Sequence, residues 1–166
     1  MNKERLLILD SNSLLNRAFY ALPDLMTGEG IHTNAIYGFV NMLLKMKEEI
    51  NPDYIVAAFD RKAPTFRHEE YKDYKAGRKK MPEELAQQFP IVKELLSALA
   101  INIFEIDGFE ADDLIGTLSV FAEKKGIEVY IVTGDKDALQ LATDNVKVVI
   151  TKRVLQKKKF MIKIEW

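Results

Sequence analysis

Four short apolar runs in this chain of 166 residues each deliver carboxylates at their carboxyl ends. Leu6-Leu7-Ile8-Leu9 stops at Asp10, and Tyr54-Ile55-Val56-Ala57-Ala58-Phe59 stops at Asp60. Ile101-Asn102-Ile103-Phe104 is followed, after Gly108, by Glu110, Asp112 and Asp113, while Val129-Tyr130-Ile131-Val132 leads into Asp135 and Asp137. One acid at such a junction can simply cap the next helix, and for Asp10 or Asp135 alone that role stays open. Seven acids delivered to one place need a different explanation. Two carboxylates about 4 Å apart repel by roughly 4 kcal/mol at an effective dielectric of about 20, and several such pairs would consume much of the roughly 5–15 kcal/mol that holds a domain folded. Bound cations relieve that repulsion, and an all-oxygen donor set suits Mg2+ or Mn2+.

The elements that must position these acids are legible from periodicity. The four runs, with Val146-Lys147-Val148-Val149-Ile150 as a fifth, are short, continuous and rich in β-branched residues, as strands buried on both faces are. Between them apolar residues recur at three and four. In 33–50 these are Ile36, Phe39, Val40, Leu43, Leu44 and Met46; in 83–99, Leu85, Phe89, Val92, Leu96 and Leu99; in 110–125, Leu114, Ile115, Leu118 and Phe121. Asn51-Pro52 ends the first helix, Met81-Pro82 opens the second and Gly126 stops the third. Strands alternating with such helices predict an α/β fold with a mostly parallel central sheet of about five strands. In an open parallel sheet, ligands collect beyond the carboxyl ends of the strands, where the acids are. Helix geometry puts Glu110 and Asp113 on one face and starts Asp112 on another, and it leaves their individual roles open.

Composition bounds the rest. With 48% hydrophobic residues the chain suits one compact domain. Neither a signal peptide nor a membrane-spanning run is present, and zero cysteines exclude disulfides and cysteine zinc sites, so the cytoplasm is the expected compartment. His32 and His68 cannot form a zinc site alone and are expected at the surface or as caps. Net charge is −1, but charge is segregated: residues 61–80 hold eight Lys/Arg against three acids, and 105–113 hold five acids and no base. One segment is thus suited to a polyanion and another to cations. The basic, aromatic stretch 61–81 fits neither helix nor strand pattern and is expected to be mobile without a partner.

Taken together, and in order, the motifs resemble the 5′-nuclease domain of bacterial DNA polymerase I within the flap endonuclease superfamily. They are Leu9-Asp10-Ser11-Asn12-Ser13-Leu14 with Arg17-Ala18-Phe19, Phe59-Asp60, Thr65-Phe66-Arg67, Tyr74-Lys75 with Arg78 and Met81-Pro82, Gly108 to Gly116, and Thr133-Gly134-Asp135-Lys136-Asp137 with Leu139-Gln140-Leu141. The match covers about residues 5–152. The resemblance implies a PIN-like three-layer fold and two divalent ions, Mg2+ or Mn2+, held by Asp10, Asp60, Glu110, Asp112, Asp113, Asp135 and Asp137. It also implies DNA contacts by Arg17, Arg67, Tyr74, Lys75 and Arg78, with Tyr74 stacking on a base and Lys75 or Arg78 offsetting charge on the phosphate in two-metal hydrolysis. The implied substrates are 5′ flaps and nicked or single-stranded 5′ ends of DNA in replication and repair, with no membrane partner and with a polymerase domain in the parent protein.

Two departures from the family pattern shape the expectations. The family carries a further aspartate pair and then a helix–turn–helix-like element that grips duplex DNA, and the sequence ends before both. The second ion is therefore expected to be weakly held and the chain weakly active or inactive. Residues 1–153 read as the nuclease domain, and 154–166, VLQKKKFMIKIEW, as a basic tail foreign to the family. With suitable codons and a shift of one base, that tail reads Gly-Ile-Thr-Glu-Lys-Glu-Ile-Tyr-Asp-Lys-Asn-Arg-Met, a family-like continuation. The tail is accordingly expected to be a frameshift product rather than a native DNA-binding arm, and the coding DNA decides between them. Three rival functions share parts of this pattern. A haloacid-dehalogenase-type phosphatase needs a second Asp where Asn12 stands, and a PIN-type ribonuclease lacks the FEADD and TGDKD wording. A folded, non-catalytic fragment that binds metal or DNA is the non-enzymatic alternative.

Overall fold

The computed structural model describes residues 2–61 and 80–151, and the backbone of 163–165. Five strands lie parallel in one sheet: β1 (Arg5–Asp10), β2 (Tyr54–Ala58), β3 (Asn102–Phe104), β4 (Glu128–Thr133) and β5 (Val146–Ile150). A short β6 (Lys163–Glu165) pairs antiparallel to β5, and the order across the sheet is β3-β2-β1-β4-β5-β6. The predicted parallel α/β sheet is therefore present, and its chain order reverses between β1 and β4. That reversal opens the crevice in which such sheets bind ligands.

Alternation along β1 explains the layers. Leu7 and Leu9 enter a core with Leu15, Phe39, Leu43, Val92 and Leu96, whereas Leu6 and Ile8 enter a second with Ala111, Ile115 and Ala122. Full burial of each such aliphatic side chain is worth about 1.5–3 kcal/mol, so both sheet faces must be covered by helices. On the first face lie α1 (Ser11–Ala21), α2 (Asn34–Ile50), α3 (Glu83–Ala86) and α4 (Gln88–Ala98); on the second lies α5 (Ala111–Lys124). Gly38 of α2 lets α1 approach closely, since a Cβ there would stand 2.7 Å from the Ala18 Cβ.

The helix boundaries follow local chemistry. Asn51 takes the left-handed conformation before Pro52 (φ 51°) and closes α2. Gly126, at φ +77°, closes α5 in a Schellman motif, with Gly126 N–H donating to Glu123 O and Ile127 N–H to Ala122 O. The continuous helix predicted over 83–99 is instead split at Gln87. Pro90 lacks the N–H that would bond Ala86 O, and its ring crowds that carbonyl. Three elements lie beyond the sequence-based expectation: α1, a 3-10 helix over Lys136–Leu141, and β6.

Among the described residues, no helix is long and apolar enough to cross a membrane. His32 Nδ1–H donates to Asp24 Oδ1 at 2.8 Å in the loop before α2, a surface role as expected. Residues 1, 62–79, 152–162 and 166 lie outside the described residues. With them go the expectations for His68, Arg67, Tyr74, Lys75 and Arg78, for the mobility of the basic stretch, and for most of the tail.

Candidate metal centre

Beyond the carboxyl ends of the strands lies a cavity of about 690 Å³. Asp10, Asp60, Glu110, Asp112, Asp135 and Asp137 all line it, together with Asn12, Ser13, Arg17, Tyr20 and Lys80. Six of the seven predicted acids thus meet at one place. Asp113 does not line this cavity; it borders a neighbouring hollow between α5 and the 3-10 helix, shared with Asp112 and Asp137.

Each acid arrives there by a different local device. Asp10 ends β1, is 4% exposed, and does not cap α1 with its side chain. Its Oδ2 accepts a hydrogen bond from the Thr133 hydroxyl at 2.7 Å. Asp60 follows β2; its Oδ1 accepts from Ala111 N–H at 2.6 Å, and its own N–H donates to Asn12 Oδ1 at 3.0 Å. The end of β2 is thereby tied both to the start of α5 and to α1. Glu110 and Asp113 form a capping box at the start of α5, in which Asp113 Oδ2 accepts from Glu110 N–H at 3.0 Å. Their i, i+3 spacing is what such a box requires, and it leaves Asp112 to project independently. Asp135 accepts from Asp137 N–H at 2.9 Å and caps the 3-10 helix. The capping role open to either Asp10 or Asp135 therefore holds for Asp135 and not for Asp10.

Electrostatics set this cavity apart. Among the described residues, no Lys or Arg makes an ion pair with Asp10, Asp60, Asp112, Asp135 or Asp137. Burial pushes the Asp10 carboxyl up from 3.8 to about 7; the Thr133 hydrogen bond pulls the other way, and the charges of Asp112, Asp60 and Asp135 push it further. Asp112 is also raised, first by burial and then by Asp135, Asp60, Glu110 and Asp113. Carboxylates that disfavour one another's ionisation in a roomy, oxygen-lined pocket are a donor set that a hard divalent cation fits. Among the described residues no three of them already stand close enough to chelate one ion. Their mutual repulsion opposes that approach, and a cation supplies the attraction that reverses it.

Sequence reasoning missed Asn12, Ser13, Thr133 and Lys80 as residues of this site. Asn12 and Ser13 were detectable as polar residues directly after a strand-end acid, and Thr133 as the only polar residue closing the β4 run. Arg17, assigned by resemblance to DNA, donates from Nη1 to the carbonyl of Gly134 at 2.6 Å.

A parallel sheet with helices on both faces and an acid-lined crevice at its switch point defines a PIN-like α/β domain. The chain matches, over residues 5–165, the family described as the 5′-3′ exonuclease, N-terminal resolvase-like domain, and it belongs to that family. It is 50% identical over 151 residues to DNA polymerase I of Bacillus subtilis, covering 91% of this chain and 17% of the polymerase. To DNA polymerase I of Caldicellulosiruptor bescii it is 51% identical over 150 residues, covering 89% and 18%. Among solved structures, the flap endonuclease of bacteriophage T5 in complex with DNA and metal ions matches with a TM-score of 0.68 at 21% identity, covering 89% of this chain and 55% of that one. This last likeness is one of fold. The chain spans about a sixth of the length of these polymerases.

Proposed function

We propose that this chain is the metal-binding part of a 5′-nuclease that hydrolyses DNA phosphodiesters at 5′ flaps and 5′ ends, with Mg2+ or Mn2+ as its ions. The observation that carries the reading is the convergence of Asp10, Asp60, Glu110, Asp112, Asp135 and Asp137 on one cavity, with no ion pair to five of them among the described residues. Asp10 and Asp135, on either side of the switch point, Asp60 after β2, and Asp112 at the start of α5 are the ligands we assign first. Glu110 and Asp137 complete the ring, and Asp113 acts by holding Glu110 in the capping box. Divalent ions bound there would lower the pKa of a coordinated water and offset charge on the phosphate under attack. Lys80, on the cavity wall, is placed to draw the DNA backbone toward the acids. We assign Arg67, Tyr74, Lys75 and Arg78 to DNA by family resemblance. The parent protein carries a polymerase domain in this reading, as the matched polymerases do.

The test is cleavage of a labelled 5′-flap DNA by the full chain in Mg2+ or Mn2+, with a single-stranded RNA as a parallel substrate. Cleavage of the DNA that is lost with Asp10→Ala and with chelator supports the reading. The second reading is a non-catalytic metal- or DNA-binding piece, favoured by the lack of three acids at chelating separation among the described residues. It predicts binding of Mn2+ or flap DNA without cleavage, and preferential cleavage of the RNA would point to a PIN-type ribonuclease.

A further inference from the structure

The turn that carries Asp135 into the cavity is gripped from outside by α1. Gly134 N–H donates to Ser13 Oγ at 2.8 Å, and Gly134 C=O accepts from Arg17 Nη1 at 2.6 Å. Both sides of one peptide residue are thus held by side chains four apart on a single helix, where they share a face. The grip leaves no room for a side chain, since a Cβ on Gly134 would stand 2.8 Å from Arg17 Cδ and 3.0 Å from Ser13 Oγ. One residue earlier, the fully buried Thr133 hydroxyl donates to Asp10 Oδ2 at 2.7 Å and accepts from Asp135 N–H at 3.0 Å. Asp10 and Asp135 are therefore joined through one hydroxyl, and the peptide between Thr133 and Asp135 is fixed to the helix that Asp10 begins.

Arg17 is bound to this duty in an unusual way. Among the described residues its buried Nε has no hydrogen-bond partner, and its one hydrogen bond is the one to Gly134. A buried donor left unpaired is destabilising, so folding alone does not account for a guanidinium at this place. Its Nη1 is committed to the backbone, so it is not that nitrogen which meets a phosphate.

We infer that Ser13 and Arg17 are positioning residues: together they clamp the Gly134 peptide and thereby set Asp135 opposite Asp10 for metal binding. The inference rests on the metal-centre reading above and concerns residues that would not touch the ion. Outer-shell partners of metal ligands typically change affinity by about 10- to 100-fold when removed. Ser13 and Arg17 act on the same peptide, so their effects do not multiply.

The experiment is calorimetric titration of the full chain with Mn2+, in the absence of DNA, at a temperature where every variant is folded. Ser13→Ala and Arg17→Ala each weaken Mn2+ binding about ten-fold, the double variant is little worse than either, and Ser13→Thr, which keeps the hydroxyl, restores affinity. Binding of a single-stranded oligonucleotide in chelator is unchanged by Ser13→Ala. Unchanged Mn2+ affinity in both single variants, while Asp135→Ala still weakens it, overturns the clamp and leaves the metal centre standing. Unchanged Mn2+ affinity in Arg17→Ala with weaker oligonucleotide binding makes Arg17 a phosphate contact instead. Mn2+ binding that Asp135→Ala and Asp10→Ala leave untouched overturns the metal reading and the clamp with it.

Discussion

At the amino edge of the sheet Glu128 sits among Lys147, Tyr130 and Arg5, whereas at the carboxyl edge Asp10 faces Asp60, Asp112 and Asp135. Glu128 accepts hydrogen bonds from the Lys147 ammonium and from the Tyr130 hydroxyl (2.6 Å), and Arg5 Nε lies 3.9 Å away. The Lys147 hydrogen bond, followed by that of Tyr130, holds the Glu128 carboxyl below its usual range. At the other end, burial raises Asp10, and its charged neighbours add to the shift. The same strands therefore carry one carboxylate that the fold compensates internally and one that it does not. The difference separates a structural ion pair from the site to which we assign a cation. It is a sharper criterion than the number of acids, because both edges are acid-bearing.

The largest expected effect is a pH dependence without divalent ions. Asp10 has a folded pKa of about 7, above its unfolded value of 3.8, so between these the folded chain holds a proton that the unfolded chain has released. Its contribution to stability is fully present below pH 3.8 and is lost as pH rises through about 7. At 1.36 kcal/mol per pH unit the gap sets a ceiling of about 4 kcal/mol. Glu128 has the opposite sign: its lowered pKa stabilises at higher pH and that stability is lost as pH falls. Denaturant unfolding of the wild type and Asp10→Asn in chelator, from pH 5 to pH 8, isolates the Asp10 slope as the difference between the two proteins. Parallel curves would remove the contrast between the edges.

Next in size is Thr133→Val, which keeps the shape but removes the hydroxyl that joins Asp10 to Asp135. It leaves the Asp135 N–H without its bond and costs about 1–3 kcal/mol. It also moves the Asp10 titration upward, since the lost hydrogen bond favoured the carboxylate; carbon-detected NMR of the Asp10 carboxyl reads this directly. The smallest effect belongs to the compensated edge. Glu128→Gln weakens the group with Lys147 and Arg5 and destabilises by about 1 kcal/mol, with Mn2+ affinity unchanged by calorimetry. A loss of metal binding there would mean that the two edges are not separable.

Much of this was legible in the chain itself. Continuous β-branched runs announced all five parallel strands, and the strand-then-acid junctions at Asp10, Asp60 and Asp135 put those residues at the correct edge. What periodicity could not show was set by tertiary contacts. Ser11, Asn12 and Ser13 suit a helix start but rank low inside a helix, and α1 continues past them with Leu14 and Leu15 buried in the core they share with the sheet and α2. The roles of Glu110 and Asp113 were left open because a capping box and a ligand pair have the same spacing. The DNA role of Arg17 rests on family resemblance alone, and no spacing in the sequence signals the Gly134 carbonyl that accepts its hydrogen bond.

The most direct test of an uncompensated carboxyl edge is the thermal stability of the wild type against Asp10→Asn at pH 8, first in chelator and then in saturating Mn2+. In chelator the variant should be the more stable, because it buries an amide in place of a carboxylate that burial and its neighbours disfavour. In Mn2+ the order should reverse, because the ion stabilises the chain that binds it and the variant has lost a ligand. The same order of stability in both solutions would contradict the account.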